Sequence, residues 1–84
     1  RWAAAWPAAS VGDLAFSPDG RLLAVASRGD EVRVLDAATG AELLAIGGLC
    51  EPRAVAWGPA GLSPPLLAFN DGPRVRIVAI EHEK

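Results

Sequence analysis

The chain states one strand plan twice. Residues 14–36, LAFSPDGRLLAVASRGDEVRVLD, hold three short apolar runs separated by two turn signals. The same plan returns further on. Phe16-Ser17-Pro18-Asp19-Gly20 is matched by Trp57-Gly58-Pro59-Ala60-Gly61 at an offset of 41, Leu22–Val25 by Leu66–Phe69 at 44, and Val32-Arg33-Val34 by Val75-Arg76-Ile77 at 43. In the first copy, Ser17-Pro18-Asp19-Gly20 suits a type I turn, because proline pre-sets φ and glycine tolerates the exit geometry. Leu22–Ser27 is a continuous aliphatic run, as expected of a strand buried on both faces. Val32 and Val34 alternate with Arg33 and Leu35, a period of two that also argues strand. Three strands joined by tight turns within so short a stretch make an antiparallel meander.

Extended along the chain, the plan predicts strands at Val11–Phe16, Leu22–Ser27, Glu31–Asp36 and Glu42–Ile46. Asp36–Gly40 forms the hairpin before the last of these, and Gly47–Pro52 is a connection. Arg53–Trp57, Pro65–Asn70 and Arg74–Ile80 follow as three more strands. In the last, Val75, Ile77 and Ala79 share one face, and Arg74, Arg76, Val78 and Ile80 the other. At the same offset of 41, Trp2 falls on Leu43 and Ala5 on Ile46, so residues 1–6 are expected to be an outer strand too. Phe16 and Trp57 are the expected core aromatics, and the tail Glu81-His82-Glu83-Lys84 is expected to fray.

LAFSPDGRLLAVAS followed by DEVRVLDAATGAELLAI resembles a blade of the WD-repeat family. The matching features are the aromatic-Ser-Pro-Asp-Gly turn, the leucine pair opening the second strand, the Val-Arg-Val-Leu-Asp third strand and the Thr39-Gly40 turn into a fourth. A period of 40 to 45 residues with four strands per unit is the propeller repeat. The chain departs from the family pattern where Leu35 and Val78 stand for its tryptophan. Ala79 stands for the aspartate kept at Asp36, and Gly48-Leu49 for the usual Gly-His pair.

The resemblance implies an all-β fold of antiparallel four-stranded blades, a partial WD-repeat-like β-propeller of about two blades. Residues 1–84 then form a single segment, with 1–6 the outer strand of an adjoining blade, 11–47 a first blade and 53–80 a three-stranded second. Propellers have typically 4–8 blades. The sequence, which has no Met, therefore reads as an excised piece completed by further blades in cis. The alternative is a structural blade pair, copies of which assemble into a closed ring. The function implied is a non-catalytic scaffold that docks other proteins or peptides on inter-strand loops. The contact candidates are Asp13, Arg28, Asp30, Asp71 and Arg74. The paired arginines of phosphoinositide-binding propellers are missing from Ala45–Leu49.

Composition agrees. The net charge is −2 with signs mixed, and no basic stripe calls for nucleic acid. No apolar run approaches the ~20 residues of a membrane span. The single Cys50 allows no internal disulfide and fits a reducing intracellular compartment such as the cytoplasm. His82 is the only histidine and lies in the charged tail, so the serines have no base partner. No spaced set of metal ligands is visible, and Gly47-Gly48 opens no phosphate loop. No catalytic, cofactor or metal site is expected. Arg28-Gly29-Asp30 carries the triplet that integrins read, but without secretory features it is read as a turn.

Overall fold

The computed structural model describes residues 11–27 and 30–81. They form two antiparallel sheets and no helix. The first sheet has strands β1 (Val11–Phe16), β2 (Leu22–Ser27), β3 (Glu31–Asp36) and β4 (Glu42–Ile46), in the order β1-β2-β3-β4. The second has β5 (Val55–Trp57), β6 (Leu66–Asp71) and β7 (Arg74–Ala79), in the order β5-β6-β7. The strands expected at 1–6 and the tail at 82–84 lie outside the described residues.

The first turn shows why this meander forms. The Gly20 amide donates to the Ser17 carbonyl at 2.9 Å, and Gly20 sits at φ +76°, a left-handed position that a side chain would resist. Asp19 Oδ1 accepts from the Ser17 hydroxyl at 2.6 Å and the Arg21 amide at 2.9 Å. Ser17 Oγ in turn accepts from the Leu22 amide. Ser17 is buried, and these bonds satisfy it. Leu22–Ser27 then runs in unbroken register against Glu31–Asp36, from Leu22 opposite Asp36 to Ser27 opposite Glu31. At the next corner Asp36 Oδ1 accepts from the Ala38 and Thr39 amides, closing the hairpin into β4.

β1 to β4 have the bounds read from the sequence. The other three do not: β6 spans Leu66–Asp71 and not Pro65–Asn70, β7 ends at Ala79 and not at Ile80, and β5 begins at Val55 and not at Arg53, because the Arg53 and Ala54 amides donate to the side-chain carbonyl of Asn70 and so leave the ladder. The core lies between the sheets. Leu22, Ala24, Val32 and Val34 of the first sheet meet Val55, Leu67 and Phe69 of the second and Ile80, the residue after β7, all buried. Trp57 packs against this cluster and its indole Nε1 donates to the Ala15 carbonyl at 2.8 Å.

Phe16 corrects an expectation. It is 59% exposed, with Leu14 at 53%. Both pair across to β2 as expected, Phe16 with Leu23 and Leu14 with Val25. The register holds, but this row of β1 faces away from the second sheet, so the aromatic is not in the core.

Candidate partner-docking rim

One end of the strands carries the start of β1, the β2–β3 turn, the β4–β5 connection and the β6–β7 hairpin. The geometry there begins with Asp13. An irregularity between Val11 and Asp13 shifts the β1–β2 register, a bulge that re-aims the side chain. Asp13 Oδ1 accepts from the Leu14 amide at 2.9 Å, and Oδ2 reaches across to accept from the Val55 amide at 3.1 Å. One carboxylate thus ties the two sheets. Beside it Gly12 lies against the backbone of Arg53, where a Cβ would stand 3.2 Å from the Arg53 Cα.

The connection over 50–54 is held by two consecutive side chains of β6. Asn70 Oδ1 accepts from the Arg53 amide at 2.7 Å and the Ala54 amide at 3.0 Å, while Nδ2 donates to the carbonyls of Glu51 and Gly72. Asp71 Oδ1 accepts from the Cys50 amide at 2.7 Å. The Gly72 amide closes back on the Cys50 carbonyl. Glu51 takes φ +48°, uncommon for a residue with a side chain. The loop is therefore specified by bonds and is not left to solvent.

Of the residues chosen from sequence, Asp13 and Asp71 have their carboxylates engaged in this framework. Asp71 also lies 3.7 Å from Arg76, whose guanidinium sits over the Phe69 ring. Asp30 is exposed, and its carbonyl accepts from the amide of buried Leu49. Arg74 is exposed and makes no ion pair among the described residues. Arg28 lies outside the described residues. Sequence reading missed Glu51 and Arg53, an exposed pair 3.6 Å apart, and Asn70. Asn70 had a signal: at the offset of 44 it falls on Ala26, a polar residue in an otherwise apolar column.

Glu51, Pro52 and Arg53 line an open cleft of about 400 Å³ with Gly12. Chemically, the rim offers charges of both signs on a braced loop. Cys50 is exposed and free. Among the described residues no group of three His, Cys, Asp or Glu could hold a metal ion, and no helix is long and apolar enough to cross a membrane. At the opposite end the Ser17 hydroxyl and the Arg21 amide hold the Asp19 carboxyl below its ordinary pKa, a feature of the turn and not of the rim.

A family model, the WD40 domain of anaphase-promoting complex subunit 4, matches residues 2–60, more than half of the chain. No curated protein and no solved structure matches it significantly.

Proposed function

We propose, from the premise that this chain belongs to the family of the anaphase-promoting complex subunit 4 WD40 domain, that it is a scaffold segment docking a protein or peptide partner on the rim built by Asp30, Glu51, Arg53 and Arg74. WD40 domains are generally non-catalytic protein-interaction scaffolds, and the matched model is named for a subunit of a multi-protein complex. The observation that carries the reading is the bracing of the 50–54 connection by Asn70 and Asp71. A loop already held in one geometry loses little entropy when a partner binds. Exposed charges of mixed sign beside it favour a polar or zwitterionic peptide surface, with complementarity setting specificity and on-rate. A reducing intracellular compartment, which suits the free Cys50, belongs to the same reading.

Cross-linking capture with charge-reversed chains tests it. Glu51→Arg, Arg53→Glu and Arg74→Glu together should lose the partner that wild type retains, with an unchanged thermal melt. Arg21→Glu, at the opposite end, should keep it. A partner lost through Arg21→Glu and retained by the rim variant sinks the proposal.

A further inference from the structure

The two outer surfaces of the sheet pair repeat the chemistry of the two that meet inside it. Ala15, Leu22, Ala24, Val32 and Val34 share the face of the first sheet turned towards the second. Their mates at the repeat offsets are Ala56, Leu66, Ala68, Val75 and Ile77, which share the outward face of the second sheet. That face is open: Val75 is 73% and Ile77 65% exposed. On the outward side of the first sheet, Leu14 and Phe16 are the mates of Val55 and Trp57, the β5 side chains that enter the core. Leu23, Val25 and Leu35 on that side are already buried, so its open part is the β1 row.

We propose that a second copy of this chain seats Leu14 and Phe16 on the Ala56, Leu66 and Ile77 face of the first, head to tail, continuing the β1-on-β5 packing of the sheet pair. The established interface is the argument, because each open surface matches in residue type the one whose partner is already visible. Among the described residues no charged side chain stands in the receiving row of Ala56, Ala68 and Ile77, and Arg76 points inward over Phe69. Two polar ties of the internal interface have no counterpart. Phe16 replaces the indole donor of Trp57, and Ala54 replaces the carboxylate of Asp13. The contact between copies is therefore apolar and weaker than the one within the chain. It is heterologous, so it leaves one free surface at each end and either closes into a ring or grows. The rim is not involved, so this association and partner docking stand or fall separately.

Light scattering behind a sizing column, over a concentration series of the whole 84-residue chain, tests it with Ile77→Glu and Phe16→Glu. Both positions are exposed, and circular-dichroism melts confirm that each variant keeps its fold; Val75→Glu and Leu14→Glu replace a variant that does not. Wild type should show multiples of the chain mass that rise with concentration or settle at a discrete ring. Each variant alone should stay at one chain mass up to at least about tenfold higher concentration, because association would bury an unpaired charge. Mixed, the two variants should give a dimer and nothing larger, since each retains one sound surface. A wild type that stays at one chain mass, as it would if only further blades of a longer chain cover these surfaces, overturns the proposal. So does a variant that still pairs with itself.

Discussion

Asn70 occupies the column in which the first sheet has Ala26, and its amide takes over bonds that β5 does not make. It accepts from two amides of the β4–β5 connection and donates to two carbonyls around it. Asn70→Ala removes all four partners at once. At about 0.5–1.5 kcal/mol net per bond, and with water reaching an exposed loop, the loss should be ~2 kcal/mol. Asn70→Asp keeps the acceptor but not the donor, so its denaturant midpoint should fall between those of alanine and wild type. Asp19 makes a residue-scale prediction about acid. Its carboxyl titrates lower in the folded chain, chiefly through the Ser17 hydroxyl and then the Arg21 amide. A depressed folded pKa contributes stability that is fully present above the unfolded value of 3.8 and is lost as pH falls through the folded one. The gap in melting temperature between wild type and Asp19→Asn should therefore be widest near neutral pH and narrow below the ordinary carboxylate value. A gap that widens in acid would contradict the Ser17–Asp19 geometry.

At the scale of the strands, most of the fold was legible because local signals agreed. The Ser-Pro-Asp-Gly turn, the period-two pattern of β3 and the Thr-Gly corner before β4 each point to the same meander, and the repeat carried it into β5 to β7. What stayed hidden depended on bonds made far along the chain. The start of β5 is set by Asn70, 16 residues from Ala54. The fate of each aromatic depends on which face meets another sheet, and strand periodicity does not reveal that. Phe16 and Trp57 hold equivalent positions in the repeat, yet only Trp57 meets the core. Trp57→Ala should cost ~3–5 kcal/mol, as truncation of a core aromatic does. Trp57→Phe keeps most of the packing and should cost about 1 kcal/mol for the lost indole bond to Ala15. Phe16→Ala should move the melt of the dilute chain far less than Trp57→Ala; equal shifts would mean that the β1 rows are assigned to the wrong sides. The rim was only partly legible for the same reason: its ends could be placed from the strand order, but not which carboxylates the connection would consume.

For the whole molecule, the relation between the two sheets rests on a few close approaches, and at Gly12 the backbone of β1 lies against that of the connection leading into β5. A Cβ there meets the Arg53 Cα at 3.2 Å and the Pro52 and Arg53 carbonyl oxygens at 3.4 Å. All three are backbone atoms, which cannot swing aside as a side chain would. Gly12→Ala must therefore move the connection away from β1, and this is the connection that Asp13 ties across to Val55. Overpacking of this kind typically costs about 1–3 kcal/mol. In a domain of this size each 1 kcal/mol lowers the melting temperature by roughly 4–8 °C. Much of the loss should come from coupling between the sheets and not from either sheet alone. Hydrogen exchange reads the difference: the Val55 amide and the Trp57 indole should lose protection in Gly12→Ala, while the β2–β3 ladder amides keep theirs relative to global unfolding. Loss of protection spread evenly over both sheets would mean that they do not separate as units, and that the contact at Gly12 is not what sets their spacing.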